Sequence, residues 1–541
     1  MPNHPSDGLP EYDYIVVGAG AAGCVIARRL ADSGARILLL EVGEADKDWR
    51  IPLPFAWPDL LRRKRQHWIY ENRVDDRKTG ELLGGKVLGG SSSVNALAFV
   101  RGHKTDYDGW EAQGLKGYGF ADVLHYFRRM ERWEEGASAL RGGDGPISVA
   151  RAYLPDPLTE AFLAGAESAG HTLNDDYNGA EQDGFGFVQA TIRQGRRCSA
   201  FDGYIRQKSS SGSITIEAGA RATRIEISAG RARGVHYAQN GRAKYARATG
   251  ELILSGGAIQ SPALLMLSGI GDPEVLRAHA IRVQAPLGGV GRNLQNHLSL
   301  AVRFRRKDTG TIRRHLRYDR LAIELARARL FRDGLFSMLP TCAIGFARTD
   351  PGLAAPNLQI SCTAVADDAR PYLPFAVPHA PDGFSIRAMV LRPSASGVLK
   401  LVNSDPSKDP VVQQGKNAPA DDQTLAEALT TIEAITSRPA MANIIDNRAA
   451  PDIPKGNDAR HAYISRNTSY LHHPCGTCRM GAAENPNAVV LPDFSVRGIE
   501  ALRVVDASVM PGLVGGNIYA CVTMLAEKAS DEIIAKFRRQ I

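Results

Sequence analysis

His473 is the side chain here best suited to proton chemistry: an imidazole titrates near neutral pH, and Pro474, next in sequence, stiffens the backbone that carries it. It lies within His472-His473-Pro474-Cys475-Gly476-Thr477-Cys478-Arg479-Met480-Gly481. A lone histidine is more often structural than catalytic, so chemistry alone does not assign His473 the catalytic role. His297, ending the run Gly291-Arg292-Asn293-Leu294-Gln295-Asn296-His297, titrates in the same range but sits in a polar loop sequence, where a structural role is expected. Cys475 and Cys478 form a Cys-x-x-Cys, the spacing of a redox pair or of half a zinc site. No second pair completes such a site, and Arg479 stands where a c-type haem motif requires histidine. Both cysteines are therefore expected to be packing residues, and no metal is expected.

A second chemistry-bearing cluster is Gly18-Ala19-Gly20-Ala21-Ala22-Gly23. Glycine at these intervals permits a tight turn at Gly18, close approach of backbone amides to a pyrophosphate at Gly20, and close packing of helix on strand at Gly23. Glu41 follows at nearly the spacing at which a carboxylate accepts hydrogen bonds from an adenosine ribose. A further run, Gly84-Gly85-Lys86-Val87-Leu88-Gly89-Gly90-Ser91-Ser92-Ser93-Val94-Asn95, offers amides and hydroxyls that would line a phosphate or a cofactor ring, or else form a surface loop.

These clusters need particular elements to hold them. The β-branched run Tyr14-Ile15-Val16-Val17 predicts a buried parallel strand leading into the glycine turn. Cys24, Ala27, Leu30 and Ala31 recur at helical spacing, Gly34 ends that helix, and Arg36 to Leu40 predicts a second strand ending at Glu41. This order of strand, glycine turn, helix, strand and acid is the dinucleotide-binding pattern, with the helix N-terminus facing the phosphates. It does not separate FAD from NAD. Ala96 to Val100 is expected to return to the core. Glu251 to Ser255 predicts another strand, followed by a helix with Ser261 as N-cap, Pro262 at its first position and Gly269 as its stop. From Arg313 to Pro439 the character changes to mixed helices with scattered prolines, as expected of a separate substrate-facing domain.

Composition sets the outer limits. At 541 residues, 44% hydrophobic and 23% charged, the chain has ample material for a large core and is a poor candidate for disorder or a fibre. The net charge of +8 is mild for this length and does not call for nucleic acid. Arg62-Arg63-Lys64-Arg65 and the Arg-rich stretch from Arg313 to Arg332, with Leu and Ala at helical spacing, are expected to be solvated faces, with an acidic partner or lipid headgroups as the alternative. No apolar run reaches the roughly 18 residues of a membrane span, and Met1 to Pro10 is polar, without a signal-peptide core. Seven cysteines do not make a disulfide framework, so a cytoplasmic compartment is expected.

Taken together, these motifs resemble the glucose-methanol-choline (GMC) oxidoreductases, and the match covers nearly the whole chain. Gly18 to Gly23 with Glu41 resembles the family's FAD adenosine site, Gly85 to Asp108 its first signature, and Gly257 to Gly271 its second. The resemblance implies an α/β fold in which a Rossmann-like FAD-binding domain (1–160, 213–311 and 463–541) is interleaved with an α+β substrate domain (161–212 and 312–462). It implies that His473 is the catalytic histidine and Asn517 its partner. It implies contacts to FAD from Val87, Gly90, Asn95, Ala96, Leu97, Ala98, Ala222, Asp506, Ala507, Asn517 and Ile518, besides Gly18, Gly20, Ala21, Ala22, Gly23 and Glu41. Some members attach the flavin through a histidine where this chain has Val94, so FAD is expected to be non-covalent.

The activity so implied is oxidation of an alcohol by hydride transfer to flavin N5, with electrons passed to a quinone or dye, or to O2. In general pattern, including Gly195-Arg196-Arg197-Cys198-Ser199, the chain looks most like the bacterial choline, sorbose and polyethylene-glycol dehydrogenase branch. A non-choline alcohol is favoured, because no aromatic cage or carboxylate for a quaternary ammonium is evident. The rivals are choline itself as substrate, a hydroxynitrile-lyase type of flavin-fold lyase, an NAD-dependent dehydrogenase and a non-enzymatic binding protein. An oligomer and a peripheral membrane contact for quinone reduction are both compatible with the sequence.

Overall fold

A computed structural model describes residues 10–206, 213–366, 368–373, 382–446, 448 and 453–537. Most of the polar N-terminal stretch, residues 1–9, lies outside them. Two large sheets organise the molecule.

The first has seven strands. Ile214–Ala218, Ile37–Glu41, Glu11–Val17 and the C-terminal half of Arg242–Leu254 run parallel, with Leu502–Val504 parallel to that last strand. Arg231–Gln239 and Ala220–Ser228 extend the sheet antiparallel from the N-terminal half of Arg242–Leu254. Ile37–Glu41 is buried along its whole length, which explains its unbroken ILLLE sequence: a parallel strand covered on both faces has no polar side. The helices Ala21–Asp32 and Tyr519–Phe537 pack together in the same core. Beginning, middle and end of the chain thus meet in one sheet, as the interleaved motif order implies.

The second sheet has eight strands, in the order Ser469–Tyr470, Leu298–Arg305, Gly383–Val390, Leu358–Thr363, Thr341–Ala347, Gly184–Ala190, Ile147–Ala152 and Glu131–Trp133. Alternation along these strands divides its two faces. Leu358, Ile360, Cys362, Phe384, Ile386 and Ala388 enter a core with the helices Pro157–Ser168 and Pro419–Thr436. Gln359, Ser361, Thr363, Arg387 and Met389 face a cavity instead. Strands 131–133 and 147–152, inside the stretch expected to bind FAD, belong to this second sheet.

The helix after the strand Arg242–Leu254 starts earlier than its sequence suggests. It spans Gly257–Leu267 and carries Pro262 in its interior, so Ser261 is not its N-cap. Proline at position 262 cannot donate to the carbonyl of Ala258. The Thr477 hydroxyl donates to that carbonyl instead, at 2.5 Å, and the Ser261 hydroxyl is engaged by Asp506, also at 2.5 Å. A local proline signal was overridden by groups arriving from more than 200 residues away. Gly269, with φ +84°, ends the helix as expected. No helix among the described residues is long and apolar enough to cross a membrane.

Candidate active site

A cavity of about 730 Å³ lies between the two sheets and takes residues from both. At one end it meets the glycine turn. A Cβ on Gly23 would fall 1.8 Å from the Gly18 carbonyl oxygen, so only glycine lets the helix Ala21–Asp32 sit this close to its strand. No side chain caps the start of that helix, and Gly20, Ala21 and Ala22 line the cavity, leaving the first-turn amides and the helix dipole to an anion. Gly90 from the second glycine cluster closes on the same turn, where an added Cβ would lie 2.7 Å from the Gly20 Cα. A crevice of bare backbone with unpaired amides fits a dinucleotide pyrophosphate.

Glu41 lies at the cavity wall with its carboxylate accepting from the amides of Ala19 (3.0 Å) and Gly43 (2.8 Å). Burial pushes its carboxyl up to about 7, against the pull of those two amides and of Lys86. It is thus rigidly oriented with acceptor capacity to spare, as a ribose diol needs. Asp506 ties its own turn to the helix Gly257–Leu267 by accepting from the amides of Ser508 and Gly257, each at 2.8 Å, and from the Ser261 hydroxyl.

Asn95, Ala96, Leu97 and Ala98 line the middle of the cavity. Leu97 is held at φ +62°, a conformation that costs a branched side chain of order 1–3 kcal/mol and persists only where neighbours impose it. Here the Asn95 side chain accepts from the Leu97 amide (3.1 Å), and the amide of Thr191 donates to the Leu97 carbonyl (2.9 Å). Arg197, wholly buried, holds Asn95 in turn at 2.7 Å and reaches the Ile51 carbonyl at 2.9 Å; burial lowers its guanidinium to about 9.

Most of the expected cofactor residues line this one cavity: Gly18, Gly20, Ala21, Ala22, Glu41, Gly90, Asn95 to Ala98, Ala222, Asp506, Ala507, Asn517 and Ile518. Two do not. Gly23 acts through packing, and Val87 is turned into a small apolar cluster with Ile51, Leu60 and Val94. Sequence reading missed Trp68, Tyr70, Arg221 and Gln260, which also line the cavity. Trp68 stacks on Tyr70 and has Lys86 and Arg221 over its ring at 4.7 and 4.8 Å. Nothing in a single strand's sequence marks it as facing a cavity rather than a core.

At the other end stands His473. Its Nδ1 lies 3.1 Å from Nδ1 of His297, and its Nε2 lies 3.3 Å from Nδ2 of Asn517. The His297 Nε2 faces two backbone carbonyls, those of Leu391 and Val514, each at 3.2 Å. Carbonyls only accept, so the His297 proton sits on Nε2 and its Nδ1 carries a lone pair. His473 must then donate from Nδ1, which leaves the lone pair of its Nε2 directed at Asn517 and the cavity. Burial first, and then His297 and His472, hold His473 well below the ordinary histidine range. It is a neutral base whose basic nitrogen has been chosen by backbone carbonyls two steps away.

The polar loop read as structural supplies this arrangement. The Asn296 side chain accepts from the His473 amide (3.2 Å) and donates to the Leu471 carbonyl (2.7 Å). Gln295 and Cys475 exchange backbone hydrogen bonds, and the Gln295 side chain accepts from the Leu513 amide at 2.9 Å. A Cβ on Gly516 would come within 2.3 Å of Val100, so Asn517 is delivered along a path too tight for a side chain. Cys475 and Cys478 are buried thiols, their ionisation pushed up by burial, and among the described residues no three ligands gather for a metal.

Comparison with known proteins accords with this geometry. The GMC oxidoreductase family models match residues 12–299 and 393–526. The chain is a GMC oxidoreductase. Mitochondrial choline dehydrogenase of Homo sapiens is 38% identical over 98% of this chain and 90% of its own length. The oxygen-dependent choline dehydrogenase of Photobacterium profundum is 34% identical over 97% and 93%. Among solved structures, formate oxidase superposes with a TM-score of 0.90 at 26% identity, covering 98% of this chain and 99% of its own. Pyridoxine 4-oxidase from Mesorbium loti gives 0.84 at 27%, covering 96% and 98%. This GMC oxidoreductase is therefore an FAD-dependent enzyme acting on CH–OH donors, and the NAD-dependent and non-enzymatic readings fall away.

Proposed function

We propose that His473 is the base that takes the hydroxyl proton of an alcohol, with Asn517 fixing the same oxygen, in oxidation to an aldehyde or ketone. The observation that carries this is the relay from the Leu391 and Val514 carbonyls through His297 to His473, which leaves the basic Nε2 facing the cavity. When bound, FAD supplies the two-electron acceptor; Gly18 to Ala22, Glu41, Gly90, Asn95 to Ala98 and Asp506 would hold it. As the proton moves to Nε2, the imidazolium that forms keeps an acceptor for its Nδ1–H in His297. The neutral relay thus supports charge on His473 only as it develops, which is where stabilisation accelerates a reaction. Asn517 fixes the alcohol oxygen by donating from Nδ2, the atom 3.3 Å from His473 Nε2, while its buried Oδ1, without a partner in the protein, is an acceptor for a different donor on the bound molecules.

The substrate we propose is a hydroxyl compound without a quaternary ammonium. Choline is the substrate in the names of the similar dehydrogenases, but a cation needs a carboxylate or an aromatic cage. Of the carboxylates lining this cavity, Glu41 and Asp506 are among the residues that would hold FAD, and Glu81 is paired with Lys64. Toward the second sheet Thr341, Gln359, Ser361, Thr363 and Arg387 line the cavity together with Met389 and Tyr470, where the Arg387 guanidinium opposes a cationic ligand. The electron acceptor we propose is a quinone reached from a peripheral contact with a membrane, in a protein otherwise in the cytoplasm.

Anaerobic mixing with a panel of alcohols, choline included, tests the reading. Bleaching of the flavin by neutral alcohols, lost in His473→Ala, is the expected result. No bleaching by any alcohol would leave a lyase-type reaction; preferential bleaching by choline would overturn the substrate assignment.

A further inference from the structure

The Arg-rich helix Tyr318–Leu330 is apolar on two opposite sides. Inward, Leu321, Leu325 and Ala328 pack on Leu53, Phe55, Ala56 and Phe336. At 100° per residue, Ala322, Ile323, Ala326 and Leu330 fall on the opposite side. There Ile323 is 61% exposed, Leu330 71%, and Phe331, just past the helix end, 73%. An ordinary surface helix presents polar side chains outward. On the Arg329 edge of the helix, Trp49, 49% exposed, flanks a shallow groove that Leu325, Ala328 and Arg329 also line. Arg320 and Arg327, the latter paired with Asp333 and Glu324, border the outward stripe on one edge and Arg329 on the other, and residues 311–333 hold seven arginines against three carboxylates.

We propose that this outward face, with Phe331 and Trp49, docks the enzyme on an anionic phospholipid bilayer from which a membrane-dissolved quinone reaches the flavin cavity. An apolar stripe edged by arginines suits the acyl–headgroup boundary: Ile323, Leu330, Phe331 and Trp49 enter the apolar layer while guanidinium groups extend to the phosphates. A second copy of the chain fits less well. A two-fold contact would oppose each arginine edge to another, with no acidic rows to answer them. The position also serves the chemistry, since the segment on which this helix packs runs directly into Trp57 and Leu61, both lining the cavity. This deepens the acceptor assignment above and rests on it, but its first test does not require turnover.

The test is flotation of the FAD-loaded full chain with vesicles of phosphatidylcholine alone or mixed equally with phosphatidylglycerol. The expected result is binding to the anionic vesicles only, weakened at high salt, where the screening length shrinks to about 3 Å at 1 M. Each of Ile323→Ser and Leu330→Ser should lower vesicle affinity by about tenfold or more, and Arg320→Glu with Arg329→Glu should abolish the preference for phosphatidylglycerol. These variants should keep native activity with a water-soluble dye and lose activity with a quinone carried in the vesicles. Absence of wild-type flotation, flotation unaffected by the substitutions, or a dimer in sedimentation that Leu330→Ser dissociates would each overturn the proposal. Failure of every alcohol to bleach the flavin would instead strike the oxidation reading and leave the flotation result standing.

Discussion

Replacing His297, which need never touch substrate, should disable the base. In His297→Leu, a side chain of similar reach fills the space, but the His473 Nδ1–H loses its acceptor and the Leu391 and Val514 carbonyls lose their donor. Leaving a buried donor unpaired costs about 1–3 kcal/mol. That penalty falls on the tautomer with a free Nε2 lone pair; in the alternative the proton sits on Nε2, where Asn517 accepts it once its amide turns the unpaired Oδ1 toward His473. The productive fraction, and with it the rate of flavin reduction, should drop by roughly 5- to 150-fold. In His297→Gln the amide offers a donor toward the carbonyls and an acceptor toward His473, so the loss should stay within about fivefold.

The assay is anaerobic single-turnover reduction of the flavin by a saturating neutral alcohol, so that substrate binding and reoxidation do not enter. Circular dichroism and the yellow FAD spectrum report fold and cofactor loading in the same samples. A merely structural role would damage both variants in proportion to their stability. The relay requires instead that Gln restore the rate where Leu does not. A folded, FAD-loaded His297→Leu enzyme reducing its flavin within about threefold of wild type would refute the reasoning.

Four further outcomes follow from the same structure. His473→Ala should leave an FAD-loaded protein whose flavin reduction is slowed by about 10²- to 10⁴-fold, read by stopped-flow absorbance. Because burial and the neighbouring histidines hold His473 well below 6.5, its neutral form persists as pH falls through 6, so the acid limb of kcat/KM should lie below the ordinary histidine range. His297 is lowered from 6.5 to about 4 by burial, so its contribution of about 3 kcal/mol is complete above pH 6.5 and lost as pH falls from there through 4, seen as a falling Tm. With Val94 where an attaching histidine would be needed, acid or heat should release the flavin into the supernatant; yellow colour remaining with the precipitate would contradict this.

The cofactor end was largely legible in the sequence because its determinants are local. Gly18, Gly20, Gly23 and Glu41 act through backbone geometry at fixed offsets in one strand–helix–strand unit, and the structure places them as that pattern requires. The catalytic end was legible only in part. His473 is marked by Pro474, but the part we propose for His297 depends on carbonyls at Leu391 and Val514 that no spacing connects to it. Pro262 misled for the same reason: its cost inside a helix is offset by Thr477, which only tertiary contact brings near. Val87 sits in a run of residues near the cavity, yet its own side chain alternates away from it.

The relay also explains why one chain threads both sheets. His297 opens the strand Leu298–Arg305 of the second sheet, and the Leu391 carbonyl follows Gly383–Val390 in that same sheet. The Val514 carbonyl and Asn517 belong to the segment running from the Leu502–Val504 strand of the first sheet into the helix Tyr519–Phe537. The proton on His297 is therefore fixed by one carbonyl from each layer, and the basic nitrogen of His473 is defined only where the layers meet. A shift of about 1 Å between them would take these 3.2 Å contacts beyond hydrogen-bonding range while both cores stayed packed. Chemistry should thus fail before the fold does, with flavin reduction slowing at denaturant concentrations where circular dichroism and bound FAD are still native. Loss of all three signals in a single transition would show that the relay is no weaker than the cores around it.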